Sequence, residues 1–446
     1  MNIGNIGGQE YRRETSGLGN TPVAKEQHSI AEPQDKIEFT DSNNGKLKLI
    51  VNADTPEAIA QFKEELSNSG DTKINSTIMN STGSKITADL PLINGIAIEI
   101  DQSQLGFITG FGKGVKVWSD DIVSTSLPMK DDNEFSIKTD VSTQILGLDK
   151  LHAQGFTGKG RTICIIDTGI AQHPDVKDRI IAFKDFVNGS ETAYDDQGHG
   201  THCAGIAAGN GTASEGKYVG SAPEANLVGI KVMDKNGRGP VSNMIKALQW
   251  AIENKDSLGI DVVSISIAYP VNESATKDPV ALAAEKAVEA GLILCAAAGN
   301  SGPKAGTIGM PGNVKNVITV GNMLDNGTID KSDDLVFGRS SVGPTKFDDL
   351  TKPDIVAPGY KITSASHNGS EYVEMTGTSM STPCVAGIMA IATQVKPGIN
   401  PIELKDAAMK TAYKLSYSNY DPNRQGAGGI DPKELLLAIN PDLNIE

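Results

Sequence analysis

The sequence predicts an α/β protein with a doubly wound parallel sheet, helices on both faces of that sheet, and a smaller α+β unit ahead of it. From about residue 141 onward, short runs that are apolar throughout alternate with helical stretches, and each run ends in Gly, Asp or Asn. Such runs are typical of parallel strands that helices cover on both faces. The segment 46–51, KLKLIV, instead alternates between polar and apolar residues, as a half-exposed strand does.

Length and composition limit the possible classes of protein. The 446 residues can hold one domain of roughly 250–300 residues and an accessory unit. With 38% hydrophobic residues and 48 glycines, the chain is neither a coiled coil nor fully disordered. The 40 Lys and Arg against 55 Asp and Glu give a net charge of −15, which disfavours nucleic acid and anionic membranes as partners. No run of about 18 apolar residues occurs, so no membrane span is expected.

The first 45 residues are polar and without periodicity, which predicts a flexible leader. They lack the apolar core of roughly 7–15 residues that a secretory signal peptide needs. The cysteines form no CxxC pair and sit among apolar or small residues, which predicts buried free thiols: Cys164, Cys203, Cys295 and Cys384. Both observations favour the cytoplasm, with export by a non-classical route as the alternative.

Residues 46–121 predict a small α+β domain. Thr55 and Pro56 mark a helix start, as N-cap and first helical residue, and the helix is expected to end near Gly70. Strand-like runs come before and after it, at residues 46–51, 85–90, 93–100 and 115–118. The order strand, helix, strand, strand, helix, strand suggests a ferredoxin-like sandwich.

Residues 122–140 are charged and unpatterned, and they predict a linker that proteases can reach. The larger domain is expected over residues 141–446. Its apolar runs predict five parallel strands, at residues 162–166, 226–233, 261–267, 292–298 and 317–321. Sheets of this kind place their functional sites at the carboxyl ends of the strands.

Two segments place ionisable side chains at such positions. IIDTG puts Asp167 at the end of a strand, where a lone Asp could equally form a turn or a cap. In DDQGHGTHCAG (195–205), glycines flank His199 and let the backbone turn sharply before a helix begins. His199 and His202 are three residues apart, but no HExxH and no third ligand of matching spacing accompany them, which argues against zinc. His202 is interpreted as a packed, structural histidine.

Two further segments add a hydroxyl and an amide. In GTSMSTPCVAG (377–387), Ser379 is expected at a helix N-terminus, where free N–H groups favour negative charge. Pro383 is compatible only with the first turn of that helix and so predicts where the helix starts. In GNSG (299–302), the Asn300 amide follows a strand and can donate a hydrogen bond into a cleft. Taken alone, these segments could be an N-cap and a turn.

Together the four segments are much more specific. The chain order Asp167, His199, Ser379 is that of the subtilisin type of triad. IIDTG, GHGTHCAG, AAAGNSG and GTSMSTP resemble the motifs of subtilisin-like serine proteases, the subtilase family, over residues 141 to about 436. KPDIVAPG (352–359) and QGAG (425–428) match as well. The segments 181–205 and 216–234 look closest to the intracellular-type bacterial branch.

The resemblance implies a serine endopeptidase that works through an acyl-enzyme. Ser379 would be the nucleophile, His199 its general base and later general acid, and Asp167 the group that fixes the His199 tautomer. The Asn300 amide and the Ser379 backbone N–H would form the oxyanion hole. Two alternatives use the same scaffold: a catalytically silent binding or inhibitory protein, and a transpeptidase.

The resemblance also implies how protein or peptide substrates bind. An extended peptide would pair as an added strand between two segments, with Gly299 nearby: Gly237-Arg238-Gly239 and Ser266-Ile267-Ala268. The family usually has Gly where Ala268 stands, so a methyl group is added to the wall of the specificity pocket. The segment 307–310, expected near the pocket floor, has no charge. We therefore expect an apolar residue before the scissile bond.

Residues 46–121 are similar to the family's propeptide, an intramolecular chaperone and inhibitor. Its weaker pieces are NGIAIEID (94–101) and VKVWSDD (115–121). The tail of this domain would lie in the substrate cleft, and the zymogen would cut itself within 122–140. The propeptide is thus an expected partner of the enzyme.

Structural calcium is implied by the resemblance, with unknown ligands. Asp195 and Asp196 could supply oxygen ligands or form a solvated turn, and the loop 209–218 does not read like the family's usual calcium loop. Cys203 and Met380 flank the expected site, either as packing residues or as part of the cleft lining.

Overall fold

The structure is a computed structural model, and it describes residues 45–67, 85–110, 114–125, 142–415 and 420–445. These residues belong to one compact unit, Phe39–Glu446. The predicted leader, except for Gly45, and residues 126–140 of the predicted linker lie outside the described residues. None of the described helices is long and apolar enough to cross a membrane.

The small N-terminal unit is an antiparallel four-stranded sheet in the order β2-β3-β1-β4, and two helices accompany it. Its strands are β1 Lys46–Ala53, β2 Lys85–Leu90, β3 Gly95–Asp101 and β4 Val115–Ser119. The helices are α1 Pro56–Ser67 and α2 Leu105–Thr109. Thr55 caps α1 as predicted, since its Oγ accepts the N–H of Ala58 at 3.3 Å. The strand order is that of the predicted ferredoxin-like sandwich.

The large domain is built on an eight-stranded sheet in which β13, β12, β11, β10, β6, β8 and β7 lie side by side and β14 pairs with β12. All of its ladders are parallel except that between β12 and β13. The five predicted strands are all present, as β6 Thr162–Asp167, β8 Asn226–Lys231, β10 Ile260–Ile265, β11 Ile293–Ala297 and β12 Ile318–Leu324. The sheet also contains β7 Ile180–Asp185, β13 Leu335–Val336 and β14 Ile355–Pro358. The doubly wound fold predicted from the apolar runs is confirmed.

Helices cover both faces of this sheet. They are α3 Ser142–Ile145, α4 Leu148–Ala153, α5 His199–Ala208, α6 Val241–Glu253, α7 Lys255–Leu258, α8 Pro279–Glu289, α9 Thr378–Val395, α10 Pro401–Thr411, α11 Pro422–Gln425 and α12 Pro432–Ile439. Helix α9 lies in the core, because 16 of its 18 residues, Thr378 to Thr393, are buried. A hairpin of β15 Ile362–Ala365 and β16 Tyr372–Met375 completes the domain.

The strand order reverses between β6 and β10. From β6 the chain continues to β7 and β8 on one side of the sheet, and later strands from β10 onward add on the other side. Connections that leave in opposite directions open a crevice at the carboxyl ends of the two strands, where α/β proteins bind their ligands. Asp167 ends β6 and Ser266 follows β10, so both residues lie at this crevice.

The first residues of the predicted linker are not unstructured. Ile122–Ser124 form a short strand, β5, which pairs antiparallel with β9, Arg238–Pro240. The sequence of β5 has no strand pattern of its own, and its conformation comes from the hydrogen-bonding edge that β9 offers. The contact connects the small unit to the large domain.

Candidate active site

Asp167 and His199 form a buried pair at the crevice. The His199 ring places Nδ1 at 2.8 Å from Oδ1 and 3.0 Å from Oδ2 of Asp167. The exposed fraction is 0% for Asp167 and 1% for His199. A carboxylate that accepts the Nδ1 proton fixes the tautomer in which Nε2 is the free base. Nε2 is buried and has no hydrogen-bond partner within the described residues.

The turn ahead of α5 aims the His199 ring. Gly198 has φ of 106°, a left-handed conformation that glycine adopts without strain. The buried Asp195 carboxylate fixes this turn by accepting the N–H groups of Gln197 (3.0 Å) and Gly198 (2.9 Å), and the N–H and hydroxyl of Thr201 (3.0 and 2.7 Å). Gln197 Oε1 accepts the N–H of His199 at 2.8 Å and thereby caps the helix.

The two histidines of this helix have opposite electrostatic surroundings. Burial lowers the pKa of His199, but the Asp167 charge and its hydrogen bond more than offset this and hold the pKa well above the usual value. Burial lowers the pKa of His202 to about 3. The His202 ring contacts the carbonyl oxygens of Ile362 (3.1 Å) and Val373 (2.9 Å) through Nε2. His202 is therefore a neutral structural residue, in agreement with its interpretation from sequence.

Ser379 is the second residue of α9 and is 4% exposed. Its hydroxyl donates a hydrogen bond to the carbonyl oxygen of Ser266 at 3.0 Å. Cys203 lies between the two halves of the site, with Sγ at 3.8 Å from His199 Nδ1 and at 3.4 Å from the Ser379 carbonyl oxygen. Cys203 thus contacts both His199 and the Ser379 backbone, and the Ser379 hydroxyl is in a rotamer that contacts Ser266.

The position of Pro383 differs from the expectation. Helix α9 begins at Thr378, so Pro383 is the sixth residue of the helix and lies beyond its first turn. A proline there leaves the carbonyl group four residues earlier, that of Ser379, without an intrahelical donor. The helix tolerates this because the Ser266 hydroxyl donates to that carbonyl oxygen at 2.9 Å.

Asn300 follows β11 and faces the start of α9. Its Oδ1 accepts the N–H of Thr378 at 3.0 Å and the Thr378 hydroxyl lies at 3.3 Å. The same hydroxyl accepts the N–H of Gly299 at 3.2 Å. Because Oδ1 is engaged, Nδ2 is the end of the amide that can donate to a bound oxygen. The structure brings Asn300 to the N-terminus of the helix that carries Ser379.

Most of the residues expected to bind substrate lie on two segments, one paired with β5 and one that follows β10. Gly237, Arg238 and Gly239 lie along β5, and the N–H of Thr125 donates to the Gly237 carbonyl at 2.9 Å. The second segment, Ser266-Ile267-Ala268, continues from β10. A pocket of about 500 Å³ lies between residues 120–124 and the segment 268–272.

The Ala268 methyl group occupies space between two glycines. A Cβ placed on Gly309 would lie 3.0 Å from the Ala268 Cβ, and one placed on Gly299 would lie 3.5 Å from it. The N–H of Gly309 donates to the Ala298 carbonyl at 2.9 Å. The uncharged segment 307–310 therefore lies against Ala268.

One group of potential metal ligands occurs within the described residues: Asp167, His199 and Cys203, whose ligand atoms lie within 4.8 Å of one another. Burial raises the pKa of the Cys203 thiol, which therefore keeps its proton. A protonated thiol is a poor metal ligand, and Asp167 and His199 already bind each other. This group does not fit a metal site.

Asp195, one of the two acidic residues expected as calcium ligands, does not fit that role. Asp195 accepts two hydrogen bonds on each oxygen, which uses all of its acceptor capacity. Asp196 Oδ1 pairs with the fully buried Lys231 ammonium at 2.7 Å. Neither a calcium ligand nor a solvated turn describes Asp195, which is a buried structural acceptor.

Sequence reasoning assigned no structural role to several side chains that hold the site together. Gln197 and Thr378 act through hydroxyl or amide contacts to neighbouring backbone. Ser266 was expected only as part of the substrate-binding segment. Pro383 indicated in the sequence that the Ser379 carbonyl needs a donor from elsewhere in the chain, but not which residue supplies it.

Comparisons with known proteins show to which family this chain belongs. The family model described as "Subtilase family" matches residues 158–428, more than half of the chain. This chain belongs to the subtilase family. It is a subtilisin-like serine protease, as the motifs predicted.

Two relatives illustrate the range of similarity within the subtilases. Serine protease AprX of Bacillus subtilis (strain 168) is 43% identical over 298 residues, which cover 63% of this chain and 67% of the relative. Subtilisin Savinase of Lederbergia lenta is 36% identical over 269 residues, 60% of this chain and 89% of the relative. A solved structure titled as a cold adapted subtilisin-like serine proteinase is 29% identical, with a TM-score of 0.49, and the match covers 62% of this chain and 88% of that one.

Proposed function

We propose that this subtilase is an endopeptidase that cleaves protein substrates through Asp167, His199 and Ser379. The observation that carries the proposal is the buried His199, which Asp167 holds through Nδ1 while Nε2 has no partner in the described part of the chain. The Ser379 hydroxyl leaves the Ser266 carbonyl and donates to Nε2. His199 then takes its proton as Oγ attacks the scissile carbonyl carbon.

Two donors stabilise the oxyanion that this attack creates. They are Asn300 Nδ2 and the backbone N–H of Ser379, which is one of the free N–H groups at the start of α9. His199 next gives its proton to the leaving amine, and the acyl-enzyme remains on Ser379. Water then attacks the ester with His199 again as base, which releases the new carboxylate and restores the serine.

We further propose that the chain is made as a zymogen in which residues 46–121 are the propeptide. Strand β5 occupies the edge of β9 on which an extended substrate would pair. Val123 is buried in the apolar cluster that also contains Val241 and Ile267. Asp120 accepts the N–H and the hydroxyl of Ser242, at 2.8 and 2.7 Å, and so caps α6. These contacts support a tail that blocks the cleft until it is cut within 122–140.

Wild type and Ser379→Ala, purified side by side, test both proposals. We expect the wild type to shorten itself by roughly 120–140 residues and to digest casein, while Ser379→Ala stays full length and inactive. Ser381→Ala is the matched control, because Ser381 is a buried serine of the same helix whose hydroxyl has no partner among the described residues. If the wild type hydrolyses casein but does not shorten, only the proposal of a self-cleaving zymogen is contradicted. If the wild type does not hydrolyse casein, the proposed peptidase activity is contradicted.

Substrate preference is proposed from the pocket wall. The Ala268 methyl and the uncharged segment 307–310 favour an apolar residue before the scissile bond. Tetrapeptide anilides that end in Phe, Leu or Arg test this preference, and faster turnover of the Arg substrate would contradict it. Ala268→Gly removes the methyl group and should raise the Phe-to-Leu ratio of kcat/KM.

We also propose a cytoplasmic location. All four cysteines are free and buried, which suits a reducing compartment. Cell fractionation that finds the protein outside the cytoplasm would contradict this location.

A further inference from the structure

Ser266 and Ser379 are linked by two hydrogen bonds that run in opposite directions. The Ser266 hydroxyl donates to the Ser379 carbonyl oxygen at 2.9 Å, and the Ser379 hydroxyl donates to the Ser266 carbonyl oxygen at 3.0 Å. Ser266 is 2% exposed and directly follows β10. The two residues are 113 positions apart in the chain, so this link is entirely tertiary.

Pro383 explains why the Ser379 carbonyl needs this link. In an α-helix the carbonyl of one residue accepts the N–H of the residue four positions later, which for Ser379 is position 383. Proline has no N–H, and a buried carbonyl without a donor costs free energy. The Ser266 hydroxyl supplies a donor, and the Cys203 thiol, at 3.4 Å, adds a weak second one.

The link connects the nucleophile to the part of the sheet that carries Asp167. Ile265, the last residue of β10, pairs in register with Ile166 of β6, and Asp167 comes next in β6. Ser266 and Asp167 therefore follow paired residues on neighbouring strands. The carboxyl ends of these two central strands are rigid. A hydrogen bond from there to the Ser379 backbone fixes α9 relative to the Asp167–His199 pair.

We propose that Ser266 is a positioning residue for catalysis, whose hydroxyl replaces the N–H that Pro383 lacks and holds the Ser379 backbone in its reactive place. This inference rests on the proposed function. Without the hydroxyl, the first turn of α9 can shift, and the Ser379 Oγ and backbone N–H lose their alignment with His199 and the oxyanion. Ser266→Ala keeps the backbone of both expected substrate-binding segments, Gly237–Gly239 and Ser266–Ala268, so kcat should fall while KM changes little.

Ser266→Ala and Ser264→Ala form a matched pair. Ser264 is in β10, is 1% exposed, and its hydroxyl has no hydrogen-bond partner among the residues described. Both variants delete a buried hydroxyl, one within β10 and one at the residue that directly follows it, but only Ser266→Ala removes a hydrogen bond to Ser379. For Ser266→Ala we expect self-shortening of the full chain and kcat to slow by about 10- to 100-fold with KM within about threefold, and for Ser264→Ala changes within about twofold.

Pro383→Ala tests the cause directly. Alanine restores an N–H at the position from which a helix normally supplies the Ser379 carbonyl. The loss that Ser266→Ala causes should therefore be at least about threefold smaller in a Pro383→Ala background than in the wild-type background. Ser266→Thr keeps a hydroxyl donor and should be faster than Ser266→Cys, which offers only a thiol. This second pair serves as the test if Ser266→Ala does not fold.

These measurements distinguish the positioning role of Ser266 from the proposed peptidase activity. Equal rates for Ser266→Ala and Ser264→Ala overturn the positioning role, and so does a Ser266→Ala loss that Pro383→Ala leaves unchanged. The positioning role is also overturned if Ser266→Cys is as fast as Ser266→Thr. A wild type that neither hydrolyses casein nor reacts with a fluorophosphonate overturns the proposed function, and the inference with it.

Discussion

Asp167 and Asp325 occupy comparable places in the fold, but Asp167 faces a histidine and Asp325 faces another carboxylate. Asp167 ends β6, Asp325 follows β12 in the same sheet, and their exposed fractions are 0% and 1%. Asp167 faces the His199 ring at 2.8 Å. Asp325 faces Asp334, because the pairs Met323–Val336 and Leu324–Leu335 set the two carboxylates opposite each other at the end of the β12–β13 ladder.

The difference shows what makes a buried carboxylate useful. Asp325 Oδ2 and Asp334 Oδ1 are buried without hydrogen-bond partners among the residues described, and burial together with the Asp334 charge raises the pKa of Asp325 to about 7. Asp167 has a partner that can share a proton and carry a positive charge. Burial at a strand end is therefore common to both, and only the facing group distinguishes a pair that can share a proton from a pair of like charges.

The largest effect is expected for Asp167→Asn. The amide keeps the shape of the side chain but loses the charge that stabilises protonated His199, and its NH2 group favours the wrong tautomer. We expect kcat/KM to fall by roughly 10⁴-fold, the size of loss that removal of the corresponding subtilisin carboxylate causes. Steady-state hydrolysis of a peptide anilide measures this. A loss below about tenfold would mean that Asp167 is not part of the proton-transfer unit.

Asp325→Asn should instead stabilise the protein. The new amide removes a buried charge and offers an N–H donor toward Asp334 Oδ1. A pKa raised from 3.8 to about 7 corresponds to a destabilisation on the order of 4 kcal/mol at alkaline pH, so we expect a gain of about 2–4 kcal/mol there. Denaturant unfolding in the Ser379→Ala background, which prevents self-digestion, measures the gain. Lower stability of Asp325→Asn at pH 8 would contradict this description of the pair.

The two sites also predict opposite trends with pH. The folded state binds the Asp325 proton more tightly than the unfolded state, so the Asp325 contribution to stability is lost as pH rises from about 4 through 7. Catalysis needs neutral His199, whose pKa is held above 6.5, so kcat/KM should rise with pH through a value above 6.5. A pH–rate profile and pH-dependent unfolding test the two trends. If kcat/KM instead rises with a midpoint at or below pH 6.5, Asp167 does not raise the pKa of His199.

A smaller effect is expected at Asp120, a buried carboxylate that faces hydrogen-bond donors. Asp120→Ala removes the cap that the small unit gives to α6, which costs about 1 kcal/mol. Because the cap holds the proposed propeptide on the enzyme, the lag before casein hydrolysis begins should shorten about fivefold. Asp54→Ala is the control, since exposed Asp54 pairs with Lys116 inside the small unit. An unchanged lag for Asp120→Ala would remove Asp120 from the interface.

The fold and the main side chains of the site could be predicted because their signals are local. Each of the five predicted strands comes from a contiguous, mostly apolar run, and Asp167, His199, Asn300 and Ser379 each lie inside a short motif. The resemblance of these motifs, in this order, to those of the subtilases predicted that they meet, and the carboxyl ends of the strands are where α/β sheets place such sites.

The remaining features depend on partners that are distant in sequence. Nothing near Ser266 indicates that its hydroxyl meets Ser379, and the strand β5 exists only because β9 offers an edge. Asp195 was expected as a calcium ligand or as part of a solvated turn, but the turn ahead of α5 folds around it. Pro383 was expected in the first helical turn because the preference of proline for that turn does not take into account a hydroxyl donor from a distant segment, here Ser266.

Labelling with a fluorophosphonate, followed by peptide mapping, tests the central claim most directly. A serine that is activated by His199 and stands beside oxyanion donors should react at Ser379 and at no other serine, and His199→Ala should slow the reaction by at least about 10³-fold. Label on the peptide that contains Ser379, lost in Ser379→Ala, is the predicted result. Label on other serines at similar rates, or labelling of Ser379 that does not depend on His199, would contradict the account.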